Sequence, residues 1–152
     1  MPPHNSAVNA RVGLLRARGL KVTAQRLAVL DALMSAHGHP SSEEVHTRLK
    51  RKHPTISLST VYSTLTAFTE VGIVDVLTLA DGITRYDTNT EPHANFVCLR
   101  CKAIIDLESP NVAGFLEEVR ALTPYEVVGQ KLEVFGYCDK CRGRAPRGRS
   151  KA

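Results

Sequence analysis

The strongest constraint on the fold of this chain comes from its four cysteines, which form two C-x-x-C pairs. The first pair is Cys98 and Cys101, and the second is Cys138 and Cys141. A two-residue spacer lets both thiolates of a pair point at one ion, and two such pairs complete the tetrahedral sulfur cage that zinc prefers. The spacing therefore predicts one structural Zn(2+) per chain, saturated by thiolates and without an open position for catalysis.

Two other uses of the cysteines compete with this interpretation. A redox pair, as in a thiol oxidoreductase, would begin a helix, and neither pair opens a recognisable helix. Structural disulfides would require an oxidising compartment. We expect a cytoplasmic protein without a membrane partner, because the N-terminus lacks the apolar core of a signal peptide and no window is apolar enough to span a membrane.

The first half of the chain has the element order of a winged helix-turn-helix. Four helix signals come first: a basic stretch over 7–19, a cap at Thr23, a capping box at Ser41–Glu44, and a helix from Ser57 through Val71. Two strand-like runs follow, over 73–79 and 83–87, with Asp81 and Gly82 in the turn between them. In this arrangement the last helix before the hairpin enters the major groove of DNA. A generic helical domain with a hairpin fits the same pattern.

The placement of charge agrees with a nucleic-acid partner for the first half. The formal net charge is +5, and the residues before Asp31 carry five cations and no acid. Between Glu91 and Cys141 the balance turns acidic. A basic half beside an acidic half suggests a polyanion as partner of the basic one. A solvated charged face explains the same distribution.

The second half is predicted to be a small α/β domain. Its expected elements are strands near 94–98 and 103–107, a helix from about Pro110, and strands near 125–128 and 131–137 that turn at Gly129 and Gln130. We interpret the polar residues 88–92 as a hinge. The predicted organisation is a winged helix-turn-helix over 1–87, a zinc domain over 93–141, and a basic, disordered tail over 142–152. The fold class is therefore α+β.

A second group of metal-ligating residue types surrounds the hinge and the first cysteine pair. His93 and Asn95 alternate along one predicted strand and so face the same way. A hairpin would bring Asp106 back beside them, while Asp87 closes the wing and His39 lies in a loop of the first half. Mixed imidazole and carboxylate ligands suit Fe(II), Mn(II) or Zn(II). Scattered, unliganded polar residues fit the same spacing.

Several motifs occur in one order along the chain and carry a family resemblance. They are LKVTAQR at 20–26, STVY at 59–62, GIV at 72–74, RYD at 85–87, His93, and the two cysteine pairs. From about Leu20 to Cys141 the chain resembles the ferric uptake regulator (Fur) family. Within that family it looks closest to the peroxide-sensing regulators.

The resemblance implies a homodimeric repressor that binds a double-stranded DNA operator, with the zinc domain as the dimerisation domain. It implies regulatory Fe(2+) or Mn(2+) bound by His39, Asp87, His93, Asn95 and Asp106. It implies DNA contacts from Lys21, Ser59, Thr60, Tyr62 and Ser63. In the peroxide-sensing branch, ferrous iron reacts with peroxide and oxidises a ligand histidine, which releases the DNA; by position, His39 and His93 are the candidates here.

The chain departs from the family pattern at two positions. Asn95 replaces the second histidine of a His-x-His motif, and Ser63 stands where many members carry arginine. An amide oxygen is a weaker ligand than imidazole for borderline ions. A regulator of iron or manganese availability, and a regulator that binds DNA without a sensor metal, are therefore alternatives. The chain shows no nucleophile–base pair, phosphate loop or open zinc site, so we expect neither an enzyme nor a small-molecule substrate.

Overall fold

The structure is a computed structural model that describes residues 4–36, 38–78 and 82–143. The chain divides into two units, Met1–Thr90 and Glu91–Ala152. The predicted disordered tail falls largely outside the described residues, and so does Asp81 of the predicted turn. Within the described ranges, no helix is both long enough and apolar enough to cross a membrane.

The first unit begins with four helices whose starts follow the cap signals. The helices are α1 (His4–Ala17), α2 (Ala24–Met34), α3 (Ser42–Lys50) and α4 (Leu58–Glu70). Thr23, Ser41 and Ser57 each accept a hydrogen bond from the backbone N–H three residues ahead. The Glu44 carboxylate in turn accepts a hydrogen bond from the backbone N–H of Ser41, which completes the predicted capping box. Local hydrogen bonding therefore determines where α2, α3 and α4 begin.

A two-stranded hairpin follows α4 and forms the wing. Strands β1 (Asp75–Thr78) and β2 (Thr84–Asp87) are antiparallel, with Asp75 opposite Asp87. The wing is also joined to the segment before α3, because Tyr86 N donates to Pro40 O at 3.0 Å and Ser41 forms an isolated bridge with Arg85. The order of helices and hairpin is that of the predicted winged helix-turn-helix.

One apolar core holds this unit together and fixes the orientation of α4. Its most deeply buried large side chains include Leu15, Leu30, Val45, Leu65 and Phe68. Helix α4 contributes Val61, Thr64, Leu65 and Phe68, which recur at helical spacing on one side. Because that side is buried, the opposite side of α4 is turned to solvent.

Over residues 91–143, the second unit consists of a three-stranded sheet and one helix. Its elements are β3 (Ala94–Cys98), β4 (Ile104–Leu107), α5 (Pro110–Leu122) and β5 (Leu132–Gly136), and the strand order is β4-β3-β5. Strand β3 pairs antiparallel with β4 and parallel with β5. The pairing of β3 and β5 brings Phe96 so close to Gly136 that a Cβ there would lie 2.9 Å from its ring.

The predicted strand over 125–128 is wrong. These residues are irregular, and Tyr125 and Val128 are 81% and 90% exposed. The sequence pattern suggested a hairpin with β5, but β5 pairs with β3 in parallel, which requires a crossover connection instead of a tight turn. Residues 125–128 belong to that connection and therefore form no strand.

Candidate metal centres and DNA interface

The two C-x-x-C pairs are brought together by the pairing of β3 with β5. Cys98 is the last residue of β3, and Cys138 follows the end of β5 by two residues. Leu99 N donates to Gly136 O at 2.8 Å, which joins the two strand ends just before the second pair. In the turn that follows, Cys141 N donates to Cys138 O at 2.8 Å, which brings the two cysteines of the second pair close together. The parallel pairing thus positions all four cysteines at the C-terminal ends of β3 and β5.

The sulfur geometry matches a tetrahedral metal site and not a disulfide. All four cysteines are free thiols, and their sulfurs lie within 4.8 Å of one another. Cys101 Sγ and Cys138 Sγ are 3.7 Å apart, whereas a disulfide bond is about 2.0 Å long. Four zinc–sulfur bonds of about 2.3 Å in tetrahedral geometry place neighbouring sulfurs about 3.8 Å apart. The cluster therefore has the geometry expected of the predicted structural zinc site.

Hydrogen bonds prepare one of these thiols for metal binding. Burial alone would raise the pKa of Cys98, but backbone N–H groups of Cys101, Cys138 and Arg100 bond its sulfur and lower that pKa to about 6. The N–H of Cys138 lies 3.4 Å from the Cys98 sulfur. Burial raises the pKa of Cys141 to about 12. Since zinc binds thiolate, its arrival displaces the protons that these thiols hold.

The first unit contains a buried histidine–carboxylate pair. His39 Nε2 lies 3.2 Å from Asp87 Oδ2, and the two side chains are only 4% and 5% exposed. Asp87 is the last residue of β2, and His39 belongs to the segment that the wing binds. The other Asp87 oxygen, Oδ1, accepts a hydrogen bond from Asn89 N at 2.7 Å. The fold of this unit thus holds one imidazole and one carboxylate in contact, away from solvent.

The second unit contains the remaining three predicted ligands on neighbouring strands. Asn95 stands opposite Asp106 in the register of β3 and β4, and His93 directly precedes β3. His93 and Asp106 offer ligand atoms within 4.8 Å of each other. The hairpin between β3 and β4 is present as the sequence predicted, and it brings these three residues together.

Hydrogen bonds indicate which tautomer the neutral ring of His93 would adopt. Its Nδ1 lies 2.8 Å from Glu91 O, and because a carbonyl oxygen only accepts, Nδ1 carries a proton. Nδ2 of Asn95 lies 3.1 Å from His93 Nε2 and donates to it in the neutral ring. In the neutral ring, the lone pair that would bind a metal is therefore on Nε2.

Asn95 carries the clearest sign that this group suits a metal ion. Asn95 is 5% exposed, and its Oδ1 is buried without a hydrogen-bond partner among the described residues. Leaving a buried oxygen unpaired costs about 1–3 kcal/mol. A cation would satisfy such an oxygen, and the donor types of His93, Asn95 and Asp106, which are imidazole, amide and carboxylate, fit a divalent ion such as manganese or iron.

The exposed side of α4 offers hydroxyl and apolar groups but no cation. An open groove runs along it, lined by Leu58, Ser59, Tyr62, Ser63, Thr66, Ala67 and Glu70. Tyr62 is 52% exposed, and Ser59 is also exposed. The hydroxyl of Thr60 is engaged at the helix cap with Ser57 at 2.8 Å, and that of Ser63 donates to Thr60 O at 3.1 Å. Ser59 and Tyr62 are therefore the most available of the predicted base-contacting residues.

Comparison with known proteins decides the family. Residues 17–135 match the model of the ferric uptake regulator family. A peroxide-responsive repressor PerR from Staphylococcus epidermidis is 34% identical over 131 residues, which is 86% of this chain and 87% of that protein. The chain belongs to the ferric uptake regulator family. It is accordingly a metal-dependent transcription regulator.

Solved structures of family members share this fold. The peroxide stress regulator of Campylobacter jejuni matches with a TM-score of 0.69 and 33% identity, over 86% of this chain and 98% of that one. The ferric uptake regulator of Pseudomonas aeruginosa, solved with manganese, matches with a TM-score of 0.74 and 27% identity, over 85% and 98%. These similarities confirm the predicted family and the α+β fold class.

Much of the basic charge of this family member is engaged inside the first unit. Arg11 pairs with Asp31 at 2.8 Å, and Arg18 donates to the carbonyl of Val71, the C-cap residue of α4, at 2.7 Å. Arg26 donates to Lys21 O at 2.8 Å. From the sequence, the positive charge of these arginines was predicted to favour binding to DNA. Three of the five cations before Asp31 instead make contacts that hold the unit together.

Two further groups of residues bear on the candidate sites and were not among the site residues predicted from the sequence. The first is the basic turn, Lys50, Arg51 and Lys52, whose exposed side chains make no hydrogen bond or ion pair to any described residue. The second is Arg85, whose side chain reaches His39 and Glu44. The positive run at 50–52 was visible in the sequence, whereas the partners of Arg85 were not.

Proposed function

We propose that this protein is a peroxide-responsive repressor that binds operator DNA when a regulatory iron or manganese ion is present. The observation that carries the proposal is the buried contact of His39 with Asp87 in the same unit as the exposed side of α4. A nearly solvent-free imidazole–carboxylate pair suits a divalent metal ion. Two similar proteins, a peroxide-responsive repressor and a peroxide stress regulator, support the peroxide response.

The regulatory ligands in this proposal are His39, Asp87, His93, Asn95 and Asp106. The first two belong to the winged-helix unit and the other three to the zinc unit. A metal ion that draws ligands from both units would restrain the proposed hinge over 88–92 and favour one conformer for DNA binding. Removing a ligand would release that restraint.

A ferrous ion held by these residues would activate hydrogen peroxide and return to its ferrous state, so that both electrons come from a ligand imidazole in the net reaction. In net terms one ligand imidazole gains an oxygen atom and loses two electrons, while the peroxide is reduced to water. His39 or His93 is the residue oxidised. Oxygen on the ring carbon between the nitrogens converts the ring to an imidazolone in which both nitrogens carry N–H. The in-plane lone pair that binds the metal would then be lost, and the DNA would be released.

The proposed DNA interface combines the exposed side of α4 with nearby cations. Ser59, Thr60, Tyr62 and Ser63 would contact bases and phosphates, and Lys21 the DNA backbone. Because α4 carries no arginine or lysine between Leu58 and Glu70, phosphate charge has to be met elsewhere. The basic residues 50–52 lie at the end of α3, in the connection that leads to α4, and provide exposed cations for that role.

The proposed homodimer would form through the zinc unit. Strand β5 is at the edge of the sheet within the described residues, and Val134 and Phe135 on it are 43% and 53% exposed. An edge strand with exposed apolar side chains is a template for another chain. On α5, Phe115 is a further exposed apolar side chain, with 54% of its surface accessible.

The test is DNA binding at fixed salt by zinc-loaded protein without sensor metal, with Mn(II), and with Fe(II), each with and without peroxide. We expect metal to promote binding and peroxide to abolish it only in the iron form. Mass spectrometry should then find one added oxygen on His39 or His93. DNA release with both histidines unmodified would disprove the oxidation step.

Asn95 favours a second candidate, a regulator of metal availability. Its unpaired Oδ1 is an oxygen donor where the family pattern has imidazole, and oxygen donors suit manganese. In that case manganese and iron would support DNA binding equally, and peroxide would have no effect. DNA binding that is unchanged in His93→Ala would instead indicate a regulator that needs no sensor metal.

A further inference from the structure

Arg85 occupies an unusual position between the wing and the start of α3. It lies on β2, where residues two apart share a face, so its side chain projects on the same side as that of Asp87. Its Nη1 donates to His39 O at 3.4 Å and lies 3.5 Å from Glu44 Oε2. The side chain is 18% exposed, so most of this cation is enclosed.

Both partners of Arg85 are tied to the same few residues before α3. Glu44 Oε2 accepts the backbone N–H of Ser41 at 2.8 Å as part of the capping box. Ser41 also forms the backbone bridge to Arg85 itself. The guanidinium therefore connects the backbone of His39, the cap of α3 and the wing strand that carries Asp87.

We propose that Arg85 is a positioning residue that holds His39 against Asp87 and links regulatory metal binding to the start of α3 within the winged-helix unit. The inference rests on the proposed function, in which His39 and Asp87 are metal ligands. A metal ion on this pair would stabilise the segment that precedes α3, and α3 packs directly against α4. Metal would then act on the DNA-reading helix through its own unit as well as through the hinge.

The chemistry of the guanidinium explains why arginine is suited to this role. It presents several N–H donors in a rigid plane and stays protonated, so it can contact a carbonyl and a carboxylate together. Lysine retains the charge but offers a flexible point donor. Methionine retains apolar bulk without any donor. Lysine therefore tests whether the positive charge alone is sufficient, and methionine tests whether the packing alone is sufficient.

The test uses full-length, zinc-loaded protein titrated with Co(II), whose ligand-field absorption reports an oxygen and nitrogen site without the sulfur bands of the zinc cluster. We expect Arg85→Met to weaken Co(II) binding by about 10-fold or more, as loss of an orienting group around a metal ligand typically does. Arg85→Lys should recover part of the loss. Arg48→Met is the matched control, since Arg48 is exposed and has no partner among the described residues.

The outcomes separate this inference from the function on which it rests. If His39→Ala abolishes Co(II) binding while Arg85→Met binds like the parent protein, the positioning role is overturned and the ligand assignment stands. If His39→Ala binds like the parent, the proposed ligands are wrong. A lower melting temperature in Arg85→Met with unchanged Co(II) affinity and spectrum would mean a structural role only, and would also overturn the inference.

A second variant keeps the inference testable if Arg85→Met does not fold. Glu44→Gln retains an oxygen that can accept the Ser41 N–H but removes the carboxylate that faces Arg85. We expect a loss of Co(II) affinity of about threefold or more, smaller than for Arg85→Met. Unchanged affinity in a folded Glu44→Gln protein would count against the proposed link.

Discussion

Replacing Asn95 by leucine should leave the stability of the metal-free protein nearly unchanged or raise it, while weakening its response to metal. Leucine has nearly the shape of asparagine but lacks both polar atoms. At a position that is 5% exposed, it removes a buried oxygen that has no hydrogen-bond partner among the described residues. If the substitution does not destabilise the metal-free protein but weakens metal binding, Asn95 serves function and not stability.

The magnitude follows from the contacts of the amide. Removing the unpaired Oδ1 relieves about 1–3 kcal/mol, and losing the 3.1 Å hydrogen bond to His93 costs about 0.5–1.5 kcal/mol. The net effect of Asn95→Leu on the free energy of unfolding then lies between a loss of about 0.5 and a gain of about 2.5 kcal/mol. At about 4 °C per kcal/mol, the melting temperature of the metal-free protein should fall by no more than about 2 °C or rise by several degrees.

The metal response should change in the opposite direction. At a Mn(II) concentration about 100 times the dissociation constant, the parent protein gains about 2.7 kcal/mol. A tenfold weaker site gains only about 1.4 kcal/mol at the same concentration. The shift in melting temperature caused by Mn(II) should therefore fall by about half. Asn95→His, which keeps a donor at this position, should retain the shift.

Differential scanning calorimetry of zinc-loaded protein, with and without Mn(II), measures both quantities. Asn111→Leu is a matched control, because that amide is exposed in the same unit and belongs to no candidate site. If Asn95→Leu lowers the stability of the metal-free protein by more than about 1 kcal/mol and leaves the Mn(II) shift intact, the amide is a structural group and not a metal ligand.

Three further results are expected. Cys138→Ser should release the structural zinc, measured by atomic absorption, and unfold the second unit by circular dichroism, since the metal supplies folding energy to a small core. Replacing Lys50, Arg51 and Lys52 by glutamine should reduce the slope of log affinity for DNA against log salt by up to about 0.9 for each phosphate that is no longer neutralised. Leu65→Ala, at a fully buried position of α4, should lower the free energy of unfolding by about 2–5 kcal/mol in denaturant titration.

The starts of the helices were predictable because their signals are local. Each cap joins atoms three residues apart, as in the bond from Glu44 N to Ser41 Oγ at 3.3 Å. The buried side of α4 was predictable for the same reason, since helical spacing alone aligns Val61, Leu65 and Phe68. Such features depend on neighbours along the chain and not on the rest of the fold.

The pairing of β5 was not predictable in this way. The sequence indicated a local hairpin over 125–137, but the partner of β5 is β3, with Ala94 opposite Leu132. Strand patterns define which face of a strand is apolar and leave the partner open. The choice of partner depends on packing between segments that are far apart in sequence.

The candidate ligands show the same division. Histidine, asparagine and aspartate could be nominated from residue type and motif, and the four cysteines from spacing. The contact between His39 and Asp87, and the reach of Arg85 to a carbonyl 46 residues away, could not. Neither could the unpaired oxygen of Asn95, because only the folded protein separates a buried atom from water.

The two cysteine pairs illustrate what each level contributes. Their two-residue spacing already specifies two bidentate sulfur ligands and thus a tetrahedral zinc ion, since that property depends on bonds close in the chain. Bringing the two pairs to one point requires β5 to lie parallel beside β3 across the connection that contains α5. Chemistry carried by adjacent residues can be read from sequence, whereas the meeting of distant residues depends on the balance of packing over the whole fold.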